Sequence, residues 1–111
     1  MSEELVRRFT DCEFYREGGR NAYYKIIPKG TMGNVAAGYV VVEGPADTPA
    51  NSHSEWEQAY LVVGGSGTLV LGGVEHRVEA GTVARIPLHT EHYVTVADGE
   101  RLEYIYLNRF L

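Results

Sequence analysis

The feature that most limits how this chain can fold is its punctuation. From residue 22 onward, short runs rich in Val, Ile, Leu and Tyr recur at short, even intervals, parted by glycine or polar turns. The runs are residues 22–27, 35–43, 59–63, 67–71, 74–79, 82–86, 92–96 and 102–107. Pro28-Lys29-Gly30, Gly64-Gly65-Ser66, Gly72-Gly73 and Asp98-Gly99 stand among the breaks. No segment sustains an i, i+3, i+4, i+7 apolar stripe with capping residues. Eight short strands at this spacing predict an all-β sandwich or barrel. The 111 residues suffice for one core without staples. Residues 22–111 are expected to form the barrel. Residues 1–21, polar but for an apolar patch at 12–15, are expected to add a turn of helix or an edge strand that packs on the barrel or on a dimer partner.

Composition excludes several classes of function. The net charge is -5 and the basic residues are scattered, which argues against a nucleic-acid partner. Cys12 is the single cysteine, so neither an intrachain disulfide nor a cysteine-based zinc site is expected. No apolar run reaches the length of a membrane helix, so no membrane partner is expected. The start, MSEELVRRF, lacks the apolar core of a secretory signal, so a cytoplasmic location is expected.

Strand periodicity assigns faces. Gln58, Tyr60 and Val62 share one face of the third run, and Ala59, Leu61 and Val63 share the other. Both are largely apolar, yet a small barrel has one interior. The N-terminal segment or a second subunit must cover the outside, and a homodimer is expected. In residues 74–80 the alternation places Val74, His76 and Val78 on a buried face and Glu75, Arg77 and Glu79 in water. In the last run Tyr104 and Tyr106 share a face, either able to present a hydroxyl to a pocket, although periodicity does not say which face is inside.

The stretch 51–67, NSHSEWEQAYLVVGGSG, concentrates the polar chemistry. His53, Glu55, Trp56, Glu57 and Gln58 fall within six positions and run directly into strand residues. Side chains held at the mouth of a strand are the first half of a small-molecule or metal site. His92, beyond the loop 87–91, supplies the second half. Trp56 would stack on a substrate ring at the rim, and Tyr60, two residues inward from Gln58, would act as acid or hydrogen-bond donor. Lys25 and Arg85 are the cations nearest the site by pattern, placed to receive a substrate carboxylate. His76 reads as a rim or core histidine.

The order of these features resembles the cupin superfamily of small β-barrels, over residues 35–107. Gly44, Asn51-Ser52-His53, Gln58 and Gly65 follow its first motif, with Asn51 where a histidine is usual. Gly81, Pro87 and His92 follow its second, with His89 at a glycine position and Val96 at an asparagine position. Residues 61–73 look like the hairpin that joins the two motifs. The resemblance implies a double-stranded β-helix, or jelly-roll, barrel. It also implies a divalent metal ion (zinc, nickel, manganese or iron) on Asn51, His53, Gln58 and His92. Placing Gly65-Ser66-Gly67 on the hairpin turn selects Gln58 over Glu57 as the ligand. Two imidazoles and an amide would leave the ion its full charge and an open position.

The expected function is therefore isomerase- or lyase-type chemistry on a small oxygen-rich molecule, sugar-acid or dicarbonyl in kind. Tyr60 or Glu57 would move the proton, and Trp56, Tyr104, Tyr106 and His89 would contact the substrate. The chain is faintly similar to the cupins that linearise unsaturated uronates in pectin breakdown. Two alternatives stand beside this reading. One is an iron or copper dioxygenase with Glu57 as the carboxylate ligand, and the other is a metal-free binding or sensing barrel.

Overall fold

The computed structural model describes residues 5–17 and 21–111. Among these described residues a 3₁₀ turn, Phe9–Asp11, precedes nine strands. They are β1 (Phe14–Glu17), β2 (Asn21–Met32), β3 (Val35–Glu43), β4 (Ala46–Asp47), β5 (Trp56–Leu71), β6 (Val74–Glu79), β7 (Val83–Ile86), β8 (His92–Val96) and β9 (Arg101–Phe110). All the pairings are antiparallel, and the order β1-β2-β3-β9-β5-β8-β4 curls into two facing sheets that share β5. β7 joins the first half of β5 and β6 its second half.

The chief departure from expectation is β5. Residues 59–63 and 67–71 are one strand, and Gly64-Gly65-Ser66 is a bulge in it, not a turn. The register slips between Val62 and Gly64 on the β9 side. Gly65 has φ +70, and a Cβ there would collide with the Arg101 carbonyl oxygen, so only glycine lets β9 lie this close. The bulge bends β5 from one sheet into the other. The true hairpin turn is Gly72-Gly73, with φ +58 and +81, which joins β5 to β6.

Between the sheets lies the core, built from alternate residues of each strand: Val40 and Val42, Tyr60 and Val62, Val94 and Val96, Leu102 and Tyr104, closed by Ile86. Burying an aliphatic side chain of this size contributes about 1.5–3 kcal/mol. Leu102, Tyr104 and Tyr106 therefore form the inner face of β9. β6 corrects a second expectation. Only Val78 on its supposed core face is buried, whereas Val74 and His76 are exposed, because β6 is an edge strand paired to β5 alone.

The outer face of the larger sheet is half covered. Phe9 stacks on Tyr39 at 3.8 Å and meets Tyr24 edge-on, and Cys12 is buried beneath the same segment. Arg7 donates a hydrogen bond to the Ile26 carbonyl at 2.6 Å. The N-terminal residues thus lie on β2 and β3. Beyond them Leu61, Val63, Val83 and Leu107 remain 43%, 41%, 68% and 44% exposed, an apolar surface on β5, β7 and β9.

Candidate functional site

Backbone pairing places the first-motif loop. Asn51 and His92 exchange both of their backbone hydrogen bonds, Thr48 N–H donates to the Val94 carbonyl, and His89 N–H donates to the His53 carbonyl at 2.8 Å. His53 is thereby pinned beside His92, their ring centres 5.1 Å apart. Strand alternation carries Gln58 to the same place, and the three residues line one cavity of about 210 Å³ with Trp56, Tyr60 and Asn108. Asn51 also lines it, though its amide nitrogen turns back to the Pro49 carbonyl at 3.3 Å.

Each of the three leaves a donor atom free. The His92 Nδ1 lies 2.9 Å from the Thr90 carbonyl oxygen. A carbonyl only accepts, so Nδ1 carries the proton and Nε2 keeps its lone pair, the arrangement a ligating histidine shows. Gln58 Nε2 donates to Asn108 Oδ1 at 2.8 Å, which orients the amide, and its buried Oε1 has no partner among the described residues. The His53 pKa is lowered, first by burial and then by the neighbouring His92 ring, which favours the neutral form. It stacks on Trp56 at 4.3 Å.

Two imidazoles and an amide oxygen make a neutral donor set that fits zinc, nickel, manganese or iron. The unpartnered Gln58 oxygen is the observation that favours the fit, because a buried acceptor left unmade is costly unless something fills it. Among the described residues no three His, Cys, Asp or Glu side chains come together, so an ion here would depend on Gln58.

Tyrosines form the cavity's deep wall. Tyr60 and Tyr104 have ring centres 4.6 Å apart, and the Tyr60 ring meets His92 edge-on at 5.9 Å. Burial pushes the Tyr60 hydroxyl well above its ordinary range, and a hydrogen bond with Tyr104 opposes this in part. Burial raises the fully enclosed Tyr104 as well, followed by the presence of Tyr60. Both phenols keep their protons at neutral pH, so Tyr60 is a donor rather than a base. Tyr106 lies across Gly38, where a Cβ would collide with its ring. Tyr15 stacks on Tyr23 at 5.0 Å, and burial, then Glu17, raises the Tyr23 hydroxyl.

The structure does not bring every expected residue here. Glu57 lies on the opposite face of β5, paired with Arg109 at 2.6 Å, and is absent from the cavity wall. This corrects its expected role in catalysis, and the choice of Gln58 over Glu57 follows from strand alternation, not from a hairpin turn at Gly65. His89 is exposed on a loop with φ +60, a left-handed backbone that accounts for the family's glycine at this position. Its backbone anchors His53 while its side chain stays out of the cavity wall. Lys25 pairs with Glu13 at 3.7 Å, and Arg85 sits exposed opposite Ala59, so neither reaches the cavity. Conversely, Asn108, Tyr15, Tyr23 and Glu17 line the site without having been expected. Asn108 was findable, since it continues the 104, 106 alternation. The others come from the β1–β2 hairpin, which the pairing of β2 with β3 brings to the cavity.

The sequence matches the Cupin domain family over residues 38–108. The chain belongs to the cupin family. No curated protein matches the chain. Among solved structures, this cupin is similar to a predicted oxalate decarboxylase from Thermotoga maritima (TM-score 0.88, 15% identity, 96% of this chain and 100% of that one). It is also similar to the polyketide cyclase RemF from Streptomyces resistomycificus (TM-score 0.80, 24% identity, 98% and 80%). KdgF from Halomonas sp. matches with a TM-score of 0.78 at 18% identity, over 92% and 91%. At these identities the likenesses show the fold, which is the jelly-roll barrel expected from the two motifs.

Proposed function

We propose that this cupin is a divalent-metal-dependent enzyme that moves a proton on a small oxygen-rich molecule, in an isomerisation or lyase-type reaction. The convergence of His53, His92 and the unpartnered Gln58 oxygen on one tyrosine-walled cavity carries this reading. Those three residues would hold the ion, which when bound acts as a Lewis acid on a substrate oxygen. The chain's own contribution is positional. Thr90 and Asn108 fix the His92 ring and the Gln58 amide, and Tyr60 presents a phenol proton beside His92. Tyr104 and Tyr106 would exclude water from the inner end. Three of the solved neighbours are described as a predicted oxalate decarboxylase, a polyketide cyclase and a putative sugar phosphate isomerase, which agrees with an enzyme of this broad kind.

A metal-free binding barrel is the second reading, and Asn51 favours it, because only two imidazoles remain. The dioxygenase reading loses its support, since the carboxylate it requires, Glu57, is engaged with Arg109 on the other face. Elemental analysis of freshly purified protein tests the proposal. We expect near-stoichiometric divalent metal that falls at least about tenfold in His92→Ala. Protein without metal, unable to take up zinc, nickel, manganese or iron, would leave the binding barrel.

A further inference from the structure

The cavity walls also speak to what enters, given that this is the small-molecule site. Their character is aromatic and almost uncharged. Tyr15 lies parallel to Tyr23 within 8° at the mouth, Tyr60 and Tyr104 form the inner wall, and Trp56 backs onto His53. Among the described residues, Glu17 is the only charged group lining the cavity, and no lysine or arginine does so. Among the described residues the buried Trp56 indole N–H has no acceptor and the buried Gln58 Oε1 has no donor. A hydroxyl or keto oxygen on a flat ring would accept from the Trp56 N–H, and a ring hydroxyl would donate to Gln58 Oε1 where no ion holds it. The volume, about 210 Å³, suits one ring or a fused pair, since a cavity of roughly 150 Å³ admits benzene.

We infer that the cavity takes an uncharged aromatic ligand bearing hydroxyl or keto oxygens, and discriminates against carboxylates, sugar acids included. A ring gains offset or edge-on contacts with the tyrosines and Trp56, which a saturated sugar does not offer to the same degree. Among the described residues a carboxylate remote from the histidines meets no partner cation and shares the cavity with Glu17, and an unpaired anion is costly to desolvate. This narrows the substrate class of the proposed enzyme by excluding the sugar-acid branch. The aromatic walls and Glu17 are the same with or without the ion, which when bound would add positive charge at the histidine end of the cavity.

Calorimetric titration tests the inference with three probes, a naphthalenediol, the corresponding hydroxynaphthoate and galacturonate, each against zinc-loaded and chelator-treated protein. We expect the diol to bind at least about tenfold more tightly than either acid in the chelator-treated protein, where no ion can draw a carboxylate. Glu17→Gln should narrow the gap between diol and hydroxynaphthoate. Tyr15→Ala, at a half-exposed ring, should weaken the diol about tenfold while lowering the melting temperature only slightly through the lost stacking on Tyr23. Galacturonate binding as tightly as the diol would overturn the inference, as would a gap unmoved by Glu17→Gln. Diol selectivity that persists in protein unable to hold zinc supports the inference while refuting metal dependence. Zinc binding without diol selectivity does the reverse.

Discussion

Gln58→Leu should make the metal-free protein more stable and the metal-loaded protein less so. In the absence of an ion the unpartnered Gln58 Oε1, in a side chain 9% exposed, costs about 1–3 kcal/mol. The hydrogen bond from Gln58 Nε2 to Asn108 Oδ1 returns about 0.5–1.5 kcal/mol. Leucine of similar length removes both. Asn108 is only half-buried, so its freed oxygen can still reach water. The net is a gain of about 1 kcal/mol, or ~4 °C in melting temperature for a domain of this size. With zinc at a hundred times its dissociation constant, the wild type gains about 2.7 kcal/mol. The variant, left with two imidazoles, gains little, so the order of stabilities inverts. Thermal melts of both proteins, in chelator and in excess zinc, measure this directly. A variant less stable than wild type in chelator would show that the Gln58 oxygen is not an unmet acceptor. An equal gap in chelator and in zinc would show that Gln58 does not hold the ion.

The bulge in β5 gives a second test. Gly65→Ala must adopt a left-handed backbone at about 1–2 kcal/mol and displace the Arg101 carbonyl. Its melting temperature should therefore fall further than that of Gly81→Ala, where φ is +96 but nothing lies within 4 Å; equal losses would contradict the close approach of β9. Alkaline pH gives a third. Burial and the 2.7 Å hydrogen bond to Glu103 push the Tyr39 hydroxyl from 10.0 up to about 12. The unfolded chain then releases its proton first, so this contribution holds below pH 10.0 and is lost as pH rises toward about 12. The urea midpoint should drop across that window, and less steeply in Tyr39→Phe; a flat midpoint would refute the assignment. The exposed Leu61, Val63, Val83 and Leu107 give a fourth. If a second copy covers this face, sedimentation should find a dimer that Leu61→Glu converts to a monomer, whereas a monomeric wild type at micromolar concentration would end the expectation of a homodimer.

Much of the site was legible because strand alternation is local. Gln58, Tyr60 and Val62 had to share a face whatever lay opposite, and so did Tyr104 and Tyr106. The spacing of His53, Gln58 and His92 within the two motifs pointed to one barrel mouth. What remained illegible depended on neighbours distant in sequence. A glycine with positive φ serves a turn or a bulge equally well, and only the path of β9 past Arg101 decides for a bulge at Gly65. His76 looked buried by alternation, but burial needs a covering layer, and an edge strand has none. Lys25 and Arg85 were near by pattern and outward in fact.

The sequence by itself determined that this chain is an all-β cupin barrel and which residues of each strand travel together, because residue periodicity and turn chemistry act over a few bonds. Tertiary structure alone decided which face turned inward, and that Glu17 and two further tyrosines, Tyr15 and Tyr23, from the N-terminal strands close the cavity. Those outcomes rest on how the β1–β2 hairpin and the distant pairings of β3 and β5 with β9 assemble, and no local pattern encodes which partner will arrive.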